Sequence, residues 1–125
     1  LAISDHVVLT GYQPQPAQYL SIMDIFLLSS FSEGTSMTLL EAMSLGKPCV
    51  VTDAGGNAEV IADQQNGLVT GNDEQREFAD AMHTLVNDTD TYHQYQQASL
   101  ARFNALFTVA AMCQSFRKIY TTVMQ

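Results

Sequence analysis

Residues 29–61 read SSFSEGTSMTLLEAMSLGKPCVVTDAGGNAEVI, and this stretch decides the fold. It leaves an apolar run, crosses the small and polar residues 30–36, and enters the strong helix formers of residues 37–45 (MTLLEAMSL). Gly46 closes that helix and Pro48 stands just beyond it, the order that a helix C-terminus favours. Residues 48–52 (PCVVT) then predict a strand, with the proline at its first position, where no ladder donor is lost. Residues 53–57 (DAGGN) predict a loop whose paired glycines admit backbone angles closed to other residues, and a short helical turn follows over residues 58–61.

The flanking sequence repeats this alternation. Residues 6–10 (HVVLT) are β-branched and apolar and predict a strand, stopped by Gly11, Pro14 and Pro16. Residues 17–23 (AQYLSIM) suit a short helix, and residues 25–29 (IFLLS) form a continuous apolar run of the kind found in a sheet covered on both faces. A fourth strand is expected at residues 67–70 (GLVT). Strands alternating with helices pair in parallel through right-handed crossovers, so the expected class is α/β, a partial Rossmann-like sheet of about four strands flanked by helices. From Glu74 onward there is neither glycine nor proline, and the C-terminal segment, residues 74–125, is expected to be helical. Helices are predicted over residues 74–86, with Asp73 as N-cap and Phe78, Met82, Leu85 and Val86 near helical spacing, and over residues 91–106 and 108–124. Tyr92, Tyr95, Phe103, Phe107, Phe116 and Tyr120 are expected to pack against the core or a neighbouring domain.

Composition narrows the function. The chain has 125 residues, 5 Lys plus Arg against 13 Asp plus Glu, and a net charge of −8, so it is one domain or a piece of one. Its 46% hydrophobic content supports a packed core, while five scattered cations make no stripe for a phosphate backbone or an anionic leaflet. Nucleic acid and membrane surfaces are therefore poor partners for this chain. No apolar run approaches the roughly 20 residues needed to span a bilayer. Cys49 and Cys113 have no metal-ligand spacing and read as buried free thiols of a cytoplasmic protein. The chain opens at Leu1 without a methionine, at the approach to a strand, as expected of a fragment.

The chemistry concentrates where the run at residues 25–29 ends. In open α/β sheets ligands bind beyond the carboxyl ends of the strands, and a helix start near Ser36, Met37 and Thr38 offers unpaired N–H groups and a positive dipole end to a phosphate. Gly34, Thr35 and Ser36 are small enough for close backbone approach. Glu33 lies in the loop and Glu41 one turn into the helix, eight positions later, and an ionised carboxylate accepts two hydrogen bonds from a vicinal diol. Phosphate at the helix end with a carboxylate on each side suits a nucleotide sugar. Thr38 and Glu41 also match a capping box. Spacing alone favours that role for Glu41 and a solvated loop position for Glu33.

The stretch SEGTSMTLLEAMSLGKPCVVTDAGGNAEVI resembles the E-x7-E region of retaining GT-B glycosyltransferases, the glycogen-synthase-like superfamily, and in particular glycosyltransferase family four. The preceding VVLTGY and YLSIMDIFLLSSFSEG, and the following NGLVTGND, resemble the adjoining elements of that family, so the likeness covers nearly the whole chain. The resemblance implies that Glu33 contacts the donor sugar and supports its developing positive charge, and that Glu41 holds the ribose hydroxyls. It implies that the backbone of Gly34, Thr35, Ser36, Met37 and Thr38 approaches sugar and diphosphate, and that neither a metal nor another cofactor is needed. Lys47 reads as compensation of a helix dipole, and the loop at Asp53, Gly55, Gly56 and Asn57 reads equally as a site border or a structural turn.

The family's diphosphate-gripping cations and its acceptor-binding N-terminal domain have no counterpart in the sequence. The resemblance therefore implies the C-terminal donor-binding domain of a longer enzyme, truncated and inactive alone, in a parent that is cytoplasmic or peripheral to a membrane. In its sheet order 3-2-1-4-5-6 this chain supplies strands 3 to 6, so its first strand is expected to rearrange, to stay loosely attached, or to leave an edge for self-association. A GT-B epimerase or phosphorylase fragment, and a non-catalytic α/β interaction domain, are the alternative readings.

Overall fold

A computed structural model describes residues 2–124, so Leu1 and Gln125 lie outside the described residues. Three parallel strands, β1 (Phe26–Leu28), β2 (Cys49–Thr52) and β3 (Gly67–Thr70), lie side by side in that order. Phe26 pairs with Cys49 and Cys49 with Gly67, which fixes the register. The helices are α1 (Pro16–Ile22), α2 (Met37–Ser44), α3 (Asn57–Val60), α4 (Gln75–Asn87), α5 (Thr89–Leu106) and α6 (Val109–Val123).

β2 is buried along its whole length, and its alternating side chains serve two cores. On one face Cys49 and Val51 join Leu20 of α1, Leu39, Ala42 and Met43 of α2, and Val60 and Ile61. On the other, Val50 joins Leu85 of α4 and Tyr95 of α5. Both crossovers, through α2 and α3, run over the first face, as a sheet growing in one direction requires. α5 reaches both cores: Tyr95 belongs to the second, whereas Phe103 and Phe107 pack on the first.

The exit of α2 is as expected. Gly46 takes the left-handed conformation, φ +65°, and the N–H groups of Gly46 and Lys47 return to the carbonyls of Met43 and Ala42. Lys47 then reaches past its own helix, and its Nζ donates to the Ser21 carbonyl in the last turn of α1 at 3.0 Å.

Several expectations are corrected. Residues 6–10 form no strand: Ser4–His6 is a 3-10 turn, and Val8 and Leu9 are 85% and 92% exposed. The run has strand propensity, but no described strand lies beside it to complete a ladder, so the sheet has three strands and this segment remains loosely attached. Asp73 does not cap α4. Glu74 takes the N-cap position without a side-chain bond, while the Glu77 carboxylate reaches back to the Gly71 N–H at 2.9 Å. Helix α5 starts at Thr89, two residues before the predicted start, because Asp88 caps it through the Thr91 N–H and hydroxyl. These bonds hold the Asp88 carboxyl below its usual range. Val86 is exposed, and α6 buries none of its residues, so of the two alternatives for Phe116 and Tyr120, packing against the core of this chain is the one that falls. Cys113 lies on α6 and is exposed, whereas Cys49 is buried. No helix among the described residues is long and apolar enough to cross a membrane.

Two measurements check this packing. Leu39 is fully buried, so Leu39→Ala is expected to lower the unfolding free energy by about 3 kcal/mol in urea titrations. Burial pushes the Cys49 thiol up to about 12, so at pH 8 a thiol-disulfide reagent is expected to count one fast thiol, Cys113, and a second only after denaturation.

Candidate functional site

The loop between β1 and α2 is built from hydrogen bonds that reach back into the sheet. Thr52, at the carboxyl end of β2 and 4% exposed, donates its hydroxyl to the Ser30 carbonyl. The Ser30 hydroxyl in turn donates to Oε1 of Glu33 at 2.7 Å. Sheet, loop and carboxylate are thus connected in series, which restricts the rotamers open to a half-buried Glu33.

The same loop rests on the Gly55–Gly56 pair. Gly55 has φ +54°, and a Cβ there would stand 1.6 Å from the Glu33 carbonyl oxygen. The Gly56 N–H donates to the Gly34 carbonyl at 3.1 Å, and a Cβ on Gly56 would lie 2.9 Å from that oxygen. The paired glycines therefore serve two purposes, a turn and a seat for the Glu33 backbone. Gly34 itself faces open space on its outer side, since a Cβ added there meets nothing within 4 Å.

Beyond Gly34 the chain enters α2 through Ser36. Its side chain is buried and accepts the Leu39 N–H at 3.3 Å, so Ser36 is the N-cap and its hydroxyl is occupied. This replaces the capping box at Thr38 and Glu41: Thr38 already lies inside the helix, and two competing Ser/Thr positions in S-M-T made the sequence ambiguous. The correction frees Glu41 from that role. The carboxylate of Glu41 has no hydrogen-bond partner among the described residues and is exposed one turn above the helix start. The N–H groups of Met37 and Thr38 likewise have no acceptor among the described residues. Glu33, Gly34, Thr35 and Ser36 lead into α2 and Met37, Thr38 and Glu41 lie in its first turns, so this helix mouth has two open N–H groups and a carboxylate on either side in sequence.

Sequence reasoning missed two contributors to this mouth. Thr52 and Ser30 carry the relay to Glu33, and the only sequence signal was a hydroxyl residue at the end of a buried strand. An open pocket of about 240 Å³ is lined by Thr10, Gly11, Gln13, Tyr19, Phe26 and Thr38, so the N-terminal segment comes near the first turn of α2.

Positive charge is placed elsewhere. Lys47 is committed to α1, and Arg102 donates to the carbonyls of Glu59 and Val60 at 2.9 Å while lying over the Phe107 ring. Arg76 is on α4, and Arg117 and Lys118 are on α6. The α2 mouth relies on backbone N–H groups and the helix dipole for its positive potential. Among the described residues no group of three or more His, Cys, Asp or Glu is gathered to hold a metal ion.

Comparison with known proteins bears on the family and the fold. The family model described as glycosyl transferases group 1 matches residues 1–102. Over 125 residues the chain is 29% identical to the N-acetyl-alpha-D-glucosaminyl L-malate synthase of Bacillus anthracis, covering all of this chain and 33% of that protein. Among solved structures, Anabaena Alr3699/HepE in complex with UDP superposes with a TM-score of 0.88 at 25% identity, covering 96% of this chain and 33% of that one. The same protein in complex with UDP-glucose gives 0.87 at 25% identity, covering 98% and 34%. The chain spans about a third of the length of the curated relatives it matches.

The seat under Glu33 makes a direct prediction. Gly55→Ala, which forces a Cβ into a backbone carbonyl at positive φ, is expected to cost more than about 2 kcal/mol, whereas Gly34→Ala stays within about 0.5 kcal/mol. Urea unfolding of the two variants side by side checks the contrast.

Proposed function

The chain belongs to the glycosyl transferases group 1 family, and from that premise we propose that it is the donor-binding portion of a longer enzyme that transfers a sugar, with retention, from a nucleoside-diphosphate sugar to an acceptor. The observation that carries this reading is the pair of open N–H groups, Met37 and Thr38, at a helix start flanked in sequence by Glu33 and Glu41. A diphosphate needs donors at its oxygens, and a ribose or hexose needs acceptors at its diols. The mouth supplies both within one loop and one helical turn.

Each residue then has a role. Met37 and Thr38 donate to the diphosphate, aided by the helix dipole, equivalent to about half a positive charge. Glu41, above them on α2, accepts from the ribose hydroxyls. Glu33 is held by Ser30 near the sugar, where its negative charge stabilises the positive charge that develops at the anomeric carbon as the diphosphate leaves. Gly34 lets the sugar approach the backbone from its open side. Half a charge does not neutralise a departing diphosphate, so further cations must come from outside this chain, and the isolated chain is inactive. The donor is the one small molecule the reading requires. The open outer edge of β1 is where strands from the rest of the protein, or a second copy, would pair.

The two acids are expected to separate in the full-length protein. Glu41→Ala weakens binding of the matching nucleoside diphosphate, found by titrating UDP, GDP and ADP, by about tenfold, the scale of a lost hydrogen bond to a charged group. Glu33→Gln leaves that affinity intact and lowers kcat by about 100-fold or more. If both variants bind and turn over like wild type, the assignment fails.

A further inference from the structure

β2 runs one residue further than β1. The ladder between them ends at Leu28 and Val51, so Thr52 has no strand partner on that side, while on the other it pairs with Thr70. Cys49, Val50 and Val51 before it are apolar and buried, and Thr52 is buried with them. A hydroxyl in such a place costs desolvation unless it is bonded. Thr52 borders a cavity of about 300 Å³ that Phe31 and Phe78 also line, between the loop after β1 and the first turn of α4. Its hydroxyl nevertheless turns to the backbone and donates to the Ser30 carbonyl, with the Leu28 carbonyl at a longer 3.4 Å. A side chain thus ties the two segments together where their ladder stops.

Thr70 supplies the contrast. It is the ladder partner of Thr52 and equally buried, yet its hydroxyl has no partner among the described residues. A threonine at this level of the sheet is therefore not bonded merely because it is buried. The backbone of Thr52 is also held beyond what the strand requires. Its carbonyl accepts from the Ala54 N–H at 2.8 Å and from Nδ2 of the fully buried Asn57 at 3.1 Å. A donor mounted on so constrained a backbone fixes the Ser30 peptide, and the Ser30 hydroxyl in turn holds Oε1 of Glu33.

The loop after β1 therefore has two tethers with different duties. The Gly55 and Gly56 backbone seats the peptides of Glu33 and Gly34. The Thr52 hydroxyl, acting through Ser30, sets the direction of the Glu33 carboxylate, whose second oxygen has no partner among the described residues. The start of α2 depends on neither hydroxyl, since Ser36 caps it. We propose that Thr52 is a positioning residue for the transfer step: from two hydrogen bonds away, its hydroxyl keeps the Glu33 carboxylate aimed at the donor sugar, and it takes no part in holding the nucleotide. The proposal rests on the donor reading, in which Glu33 faces that sugar.

The test uses the full-length protein with the nucleoside-diphosphate sugar that supports turnover. Thr52→Val keeps the shape and removes the hydroxyl, whereas Thr52→Ser keeps the hydroxyl. Thr52→Val is expected to lower kcat about tenfold, with affinity for the matching nucleoside diphosphate within about twofold of wild type. The unchanged nucleotide affinity also shows that the variant folds. Thr52→Ser is expected to keep kcat within about threefold of wild type. In a Glu33→Gln background, Thr52→Val is expected to lower kcat by less than about twofold, because the carboxylate it aims is already gone. Ser30→Ala removes the second hydrogen bond from a half-buried loop residue and is expected to match the kcat loss of Thr52→Val, which keeps the test decisive should Thr52→Val fail to fold. The proposal is overturned if Thr52→Val or Ser30→Ala turns over like wild type, if Thr52→Ser loses as much as Thr52→Val, or if the full loss persists in the Glu33→Gln background. Failure of the donor reading has a different signature, a nucleotide affinity that ignores Glu41→Ala whatever Thr52→Val does to turnover.

Discussion

The backbone of Glu33 lies against a glycine that has no room for a side chain. With a Gly55 Cβ position 1.6 Å from the Glu33 carbonyl oxygen, the loop after β1 and the loop after β2 are packed backbone to backbone. Such contact is possible only where one partner lacks a Cβ and can hold a positive φ. It places the Glu33 peptide over the end of β2, and the Thr52 and Ser30 hydroxyls then complete the fixation from below. The entry angle of α2, the open N–H groups at its start and the separation of the two acids all follow from where that loop is set down.

The distribution of charge follows a similar economy. Five cations serve a chain with thirteen acids, and two of them, Lys47 and Arg102, are used on the carboxyl-terminal carbonyls of short helices, α1 and α3. Short helices have little cooperative stability of their own, and their last carbonyls need donors. The consequence is a ligand mouth whose positive potential comes from peptide dipoles alone. Peptide dipoles are fixed by the fold and do not titrate, but they supply only a fraction of a charge. On the donor reading, binding a diphosphate and neutralising it on departure are therefore separable tasks, and the proposal assigns this chain only the first.

What the sequence revealed, and what it hid, divides along the range of the interactions involved. The α2 boundaries were legible because their determinants are local: small polar residues before Met37, helix formers after it, and Gly46 at the exit. β2 and β3 were legible because a buried strand declares itself by an unbroken apolar run. Residues 6–10 have the same local character, yet a strand exists only with a neighbour to bond, and none of the described strands lies beside them. Glu33 and Glu41 could be singled out from spacing and resemblance, whereas the Thr52 to Ser30 to Glu33 relay joins residues about twenty apart in sequence and becomes visible only when β2 is laid beside β1. The capping error has a third origin. Serine and threonine two positions apart both satisfied the local rule, and only the burial of Ser36 decided between them.

The loop after β1 carries both Phe31, which lines the cavity beside α4, and Glu33, and that has a mechanical consequence. Phe31 and Glu33 cannot move independently, since the residue between them is Ser32 and the loop is tied at Ser30 on one side and at Gly34 on the other. Any shift that opened the cavity beside α4 would pull on the carboxylate facing α2, and the reverse. The tethers run to β2, the one strand buried on both faces and along its full length. The fully buried strand is thereby the reference against which the loop is positioned.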